Sequence, residues 1–311
     1  MHYLLLIGSF LVWLWSPAFG QETVRVDQES GGECAAPCPR TAVLFVHGIT
    51  GGRDTWLTPD SGGRRGAYWF ELLAADPQIG HRLDIYTINY DSYGIQASPT
   101  VRQIQVQLSA KLDALLFREK KYSKVILICH SLGGILCYQH LHHIKNAYSH
   151  KYLSLFGLVI TLGTPLNGSG VAHYIAKASA NPQWRVLRPT DQNDYLQLLE
   201  GAVADWDLKR NDVCGRLTFH AAIETQPYST FGIIVPEESA HPQENGFRQM
   251  IREFKKFEAK NHVDLVKPAS REDHVYIWTK DAIAGCLDEG ICRGHVSNDC
   301  PGRMPDWVSR R

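Results

Sequence analysis

The chain has 311 residues, 44% hydrophobic and 21% charged, which excludes a disordered or fibrous polypeptide and is enough for one large α/β domain or two small ones. Its 32 basic and 32 acidic side chains cancel to a formal charge of zero, so the chain lacks the basic field that gathers nucleic acid, and no nucleic-acid partner is expected.

Residues 1–20 hold an apolar run from Leu4 to Trp15, too short and too early for a membrane span, followed by Ala18-Phe-Gly20, which has the small-x-small form of a cleavage site. They read as a secretory signal, with an uncleaved N-terminal anchor as the alternative, and imply a secreted or other extracytoplasmic location. Residues 21–40 form a polar, Cys-containing leader, residues 41–285 the main domain, and residues 286–311 a Cys-rich tail. Eight cysteines suit an oxidising compartment. Cys34, Cys38, Cys214, Cys286, Cys292 and Cys300 are disulfide candidates whose pairing the sequence leaves open. Cys129 and Cys137 sit inside regular elements and are read as buried reduced thiols. Neither the cysteines nor His140, His142 and His143 have the spacing of a metal site, so no metal and no cofactor is expected.

The first strong strand is Thr41-Ala-Val-Leu-Phe-Val46, a continuous apolar run of the kind buried on both faces of a parallel sheet. It ends in His47-Gly48-Ile49-Thr50-Gly51-Gly52, where two glycines would let a substrate approach the main chain. A helix begins at Ala67–Ala74, a strand follows over His81–Tyr90, and Ile104, Leu108 and Leu112 at helical spacing predict a helix from Thr100 to Phe117.

The next strand, from Lys124, breaks abruptly at Cys129-His130-Ser131-Leu132-Gly133 into a helix that runs past Ile135 to Ile144. A serine at such a strand-to-helix turn has its hydroxyl pushed clear of the sheet and its backbone at positive φ. The pattern is that of a nucleophile elbow, G-x-S-x-G, with Cys129 in place of the first glycine. The backbone N–H groups of Ile49 and Leu132 are then the candidate donors to an oxyanion. Leu155–Pro165 is another buried strand with a sharp exit. The stretch from Asn167 to Asp212, containing Tyr195–Leu199, is read as peripheral helices, with a cap over the site as the alternative. Arg216–Ile223 is a strand with Glu224 at its end, and Gly232–Val235 is the expected last strand.

Ligands gather at the carboxyl ends of strands in a doubly wound sheet, and an acid then a histidine should follow the serine in chain order. Glu224 is the favoured acid, with Glu237, Glu238 and Asp264 as alternatives. Among the histidines, His262 lies in a loop and can swing toward a serine, whereas His241 and the helix-embedded His274 are less suited. Phe247, Met250, Ile251, Phe254 and Phe257 form a stripe predicting an amphipathic helix that packs on the core, or alternatively serves as a lid or membrane-touching element.

Taken together, Val46-His-Gly-Ile-Thr-Gly51, Asp54-Thr-Trp56 with Trp69, the elbow, Thr161-Leu-Gly-Thr-Pro165, Ile223-Glu-Thr225, Val235-Pro-Glu-Glu-Ser-Ala240 and Asn261-His-Val-Asp-Leu-Val-Lys-Pro268 make the chain resemble lipase-like α/β-hydrolases. It is similar to the serine-active-site-containing proteins and, more distantly, to the glycosylphosphatidylinositol inositol deacylases. The resemblance implies an α/β-hydrolase fold, a mostly parallel doubly wound sheet with helices on both faces, and a Ser131–Glu224–His262 triad. Many related lipases place an Asp where this chain has Phe231, which favours Glu224 as the acid. It also implies ester hydrolysis through an acyl-enzyme, with a small-molecule or lipid ester as substrate and peripheral membrane contact as a possibility. Acyl transfer to an alcohol or lipid, and a catalytically silent binding protein of the same fold, are the rival functions.

Overall fold

The structure, a computed structural model, describes residues 22–31, 40–60, 66–118, 122–148, 153, 155–204, 206, 217–243 and 246–288. The expected signal segment, Cys34, Cys38, Cys214, Cys292, Cys300 and most of the tail lie outside these residues.

The strands are β1 (Val24–Gly31), β2 (Arg40–Val46), the short pair β3 (Leu57–Thr58) and β4 (Ala67–Tyr68), β5 (Leu83–Tyr90), β6 (Tyr122–His130), β7 (Phe156–Leu162), β8 (Thr218–Glu224) and β9 (Ile251–Phe257). Seven of them form one sheet in the order β1–β5–β2–β6–β7–β8–β9, parallel from β5 to β9, with β1 added antiparallel to β5. The leader thus supplies an edge strand: β1 pairs Val24 with Tyr90 and Asp27 with Thr87, though its polar composition concealed it.

Why β2 and β6 read as unbroken apolar runs is clear from what flanks them. Ala42, Leu44 and Val46 face one side with α2 (Val101–Asp113) and α3 (Leu132–Tyr148), while Val43 and Phe45 face the other with Trp56, Trp69 and the final helix, α9 (His274–Asp288). A strand covered on both faces has no polar positions to spare. Helix α2 starts where expected, because Thr100 accepts a hydrogen bond from the Gln103 N–H and the Gln103 side chain reaches back to the Thr100 N–H.

Two expectations fail at the far edge of the sheet. The stretch from Phe247 to Phe257 is not one helix: a single turn, Gly246–Met250, gives way to β9, which pairs in parallel with β8. Only Ile251 and Phe257 of β9 are buried, and the charged side chains between them suit an edge strand, so the apolar stripe mimicked helical spacing. Gly232–Val235, the expected last strand, is instead a loop whose N–H groups turn to a carboxylate described below.

The two cysteines of the elbow also differ from expectation. Cys129 and Cys137 form a disulfide across a Cα separation of 6.9 Å. Helix α3 doubles back along β6, so a residue in its second turn lies over the last residues of the strand, close enough to be bridged. Cys286, near the end of α9, is buried against Gly157 of β7. Among the described residues, no helix is long and apolar enough to cross a membrane, and no group of three or more His, Cys, Asp or Glu residues could hold a metal ion.

Candidate active site

The loop after β2 leads to the face covered by α1 (Trp69–Ala74), and the helix after β6 lies on the opposite face. Connections that diverge from adjacent strands leave a crevice at their carboxyl ends. Here the strands are β2 and β6, and Ser131 stands in that crevice.

Ser131 has φ 51°, the left-handed conformation that the elbow demands of a side-chain-bearing residue. Its N–H is tied to the carbonyl of Leu162, so the turn is fastened to β7 as well as to its own strand. Small neighbours are essential to this geometry. A Cβ on Gly133 would stand 2.3 Å from the Val46 carbonyl oxygen, and one on Gly48 would stand 2.7 Å from the Ser131 Cβ. Cys129, in the place of the usual first glycine, is fully buried on the α3 side, where its sulfur bonds to Cys137.

The loop after β2 is held as firmly. His47 is buried and stacked on Tyr90 with ring centroids 4.0 Å apart, donates from Nδ1 to the Gly48 carbonyl at 2.7 Å, and accepts the Tyr90 N–H on Nε2 at 3.1 Å. Burial pushes this imidazole down to about 4, so it is neutral. Beyond it the Thr50 N–H donates to Ser92 Oγ at 2.9 Å, and Ser92 donates in turn to Gln183 Oε1 at 2.6 Å. Nothing in the sequence pointed to this brace, since its three residues are unremarkable polar groups far apart in the chain. Ile49 lines the cavity in front of Ser131, whereas Leu132, fully buried in the first turn of α3, is not among the residues that line it.

Glu224 ends β8 and His262 follows β9, as the order of chemistry required, although the strand before the histidine is not the one expected. Their side chains meet: His262 Nδ1 donates to Glu224 Oε2 at 2.5 Å, with both residues buried. The other carboxylate oxygen, Oε1, accepts the N–H groups of Ile234 and Val235 at 2.7 and 3.0 Å. Glu224 is thereby fixed on both sides. The rival acids are occupied elsewhere, Glu237 with Lys256 and Asp264 with the Asn261 side chain, and Glu238 is exposed. His241 stacks on Phe254 and His274 opens α9, so neither meets Glu224.

Two further residues frame this pair. Gly163, at φ +56°, lies directly beneath it, where a Cβ would come within 3.0 Å of His262 Nδ1 and 3.2 Å of Glu224 Oε2. A glycine straight after a buried strand was the sequence signal for it. His130 donates from Nε2 to the His262 carbonyl at 3.1 Å, and burial, reinforced by the neighbouring His262, holds its imidazole well below the usual histidine range.

Ser131 and His262 line one cavity of about 520 Å³, together with Ile49, Val171, Ile175, Trp184 and Phe231. With Nδ1 engaged by Glu224, Nε2 is the nitrogen His262 can offer to that space. Among the described residues no hydrogen bond joins Ser131 to His262, and in hydrolases without substrate this contact is commonly long. The cavity wall corrects the reading of Asn167–Asp212 as merely peripheral: α4 (Gly170–Ala178) and Trp184 form part of it, whereas Asp194–Ala204 packs away from the site against α3.

Residues 43–290 match the Alpha/beta hydrolase family. Among solved structures, the mature form of lipase BlEst2 from Bacillus licheniformis is similar at 18% identity with a TM-score of 0.53, covering 84% of this chain and 98% of that one. Phospholipase PlaB from Legionella pneumophila is similar at 14% identity with a TM-score of 0.53, covering 88% of this chain and 63% of that one. At these identities the likeness concerns the fold. No curated protein matches the sequence.

Proposed function

The chain belongs to the alpha/beta hydrolase family, and on that premise we propose that it hydrolyses carboxylic esters through an acyl-enzyme, with Ser131 as nucleophile, His262 as base and acid, and Glu224 as orienting carboxylate. The observation that carries this reading is the buried 2.5 Å contact between His262 and Glu224 on the cavity that also holds Ser131 at positive φ.

In this mechanism His262 Nε2 takes the proton of the Ser131 hydroxyl as the oxygen attacks the ester carbonyl. The N–H groups of Ile49 and Leu132 stabilise the charge that develops on the carbonyl oxygen. Glu224 keeps the proton on Nδ1 and supports the imidazolium, which then protonates the departing alcohol. Water, activated by the same nitrogen, attacks the acyl-serine and returns the enzyme with a carboxylic acid. The apolar wall of Val171, Ile175, Trp184, Leu187 and Phe231 supports an acyl group or alcohol of hydrocarbon character, and the resemblance to lipid-acting serine hydrolases supports a lipid-like ester. Tyr228 and Phe231, 41% and 56% exposed at the cavity, are suited to peripheral contact with such a substrate's surroundings. The Cys129–Cys137 bond supports work in an oxidising compartment, in keeping with the reading of residues 1–20 as an export signal.

A fluorophosphonate probe tests the nucleophile. It should label the wild-type protein and leave Ser131→Ala unlabelled, and a panel of esters graded in chain length should be cleaved by the former alone. Labelling that survived the substitution would move the nucleophile elsewhere.

A further inference from the structure

The elbow histidine, His130, has no part in the proton transfers described above, yet its position ties two parts of the site together. It is the last residue of β6, directly before the nucleophile, and it is 7% exposed. Because the carbonyl of His262 can only accept, the 3.1 Å contact fixes the proton of His130 on Nε2. The ring centroids of His130 and His262 lie 4.7 Å apart with the planes tilted by 43°, and Trp56 stands edge-on to His130 at 6.5 Å. The remaining nitrogen, Nδ1, is buried without a partner beside Gly48, whose Cβ position would fall 3.1 Å from it. A buried polar atom left unmatched costs stability, so the histidine is a poor choice for mere filling.

We infer that His130 is a positioning residue, whose Nε2–H holds the main chain of His262 and so sets the imidazole at a fixed place relative to the neighbouring Ser131. The inference rests on the triad reading above and deepens it. The segment carrying His262 is a loop between β9 and a short turn at Asp264–Val266, and its histidine must point at a hydroxyl that belongs to a different strand. The Glu224 contact sets the orientation of the ring about one nitrogen. It does not fix the distance from the loop to the elbow. The hydrogen bond from His130 does, since its donor is one residue from Ser131 and its acceptor is the backbone of His262 itself. A displacement of about 1 Å at such a centre is enough to cost roughly a hundredfold in rate.

The test compares two side chains of equal reach, one with an N–H donor and one without: His130→Gln and His130→Met. The Met variant should lose at least tenfold in kcat and in the rate of fluorophosphonate labelling, with KM changed less than threefold, while Gln stays within about threefold of wild type. The charged or titratable groups facing His130 are His262, His47 and Lys267, and neither variant alters them. A role in packing alone would lower the melting temperature of both variants without separating their kcat values. A folded Met variant with near-normal kcat would overturn the inference, as would a Gln variant as slow as Met; if Met unfolds, a tenfold impaired Gln variant overturns it in the same way. Wild-type protein inert to both probe and esters would overturn the triad reading and this inference together, whereas active wild type and equally active Met variant would remove this inference alone.

Discussion

At the scale of single residues, the most informative group is the Glu224 carboxylate, because its two oxygens do different work. Oε2 receives the His262 Nδ1–H, and Oε1 receives two backbone N–H groups from the loop at Ile234 and Val235. Replacing Glu224 by Gln separates these roles. The amide oxygen can still accept from the loop, so the fold should survive, but the amide nitrogen would then face His262 as a donor and favour the wrong tautomer of the ring. The expected outcome is a fall in kcat of about 10³ to 10⁴ with an unchanged melting temperature, by analogy with the loss of the orienting carboxylate in other serine hydrolases. Steady-state rates beside a thermal melt check it, and a near-normal rate would assign the acid's role to another carboxylate. Glu224 was legible in the sequence because a charged residue closing an apolar strand needs a reason. The partners of its second oxygen were not legible, since they are main-chain groups of a segment that read as a strand.

Among elements, the strands buried on both faces were the readable ones. β2, β6 and β7 announce themselves as continuous apolar runs, and the abrupt stops at His47, Ser131 and Gly163 mark where the candidate site lies. β1 and β9 were misread for one shared reason: each lies at an edge of the sheet, where water covers much of the strand and a polar sequence carries no strand signature. The elbow disulfide was missed on different grounds. Cys129 and Cys137 lie eight positions apart in the chain, and only the sharp reversal between β6 and α3 brings them together. That reversal is what the bond reinforces. Cross-linking residues so spaced removes unfolded-state freedom worth about 2 to 3 kcal/mol. The double variant Cys129→Ala, Cys137→Ala should therefore unfold at a lower urea concentration by that much free energy, and alkylation of the unreduced, unfolded wild type should leave both sulfurs unmodified. Free thiols at the two positions would contradict the bond.

For the molecule as a whole, the packing of neutral imidazoles makes stability depend on acid. His47 and His140 are buried, and burial lowers them from 6.5 to about 4 and about 3. In the unfolded chain each titrates near its ordinary value, so between pH 6.5 and the lowered value the unfolded state holds a proton that the folded state does not. Stability from this source is complete above the unfolded pKa and is lost as pH falls. The slope is about 1.4 kcal/mol per pH unit for each histidine fully protonated only in the unfolded state. His140 allows a clean test because it lies behind the sheet, with Nδ1 against Ser109 Oγ at 3.2 Å and no contact with the cavity around Ser131. His140→Leu removes one titrating group and leaves the candidate site as it was. Urea midpoints measured from pH 7 to pH 4.5 should decline less steeply for this variant by about one proton's worth of slope, whatever constant offset the lost Ser109 contact adds. A slope equal to that of the wild type would mean that His140 takes up its proton in the folded protein, and the acid sensitivity would then lie with His47 and His130, the two buried imidazoles that stand beside the elbow.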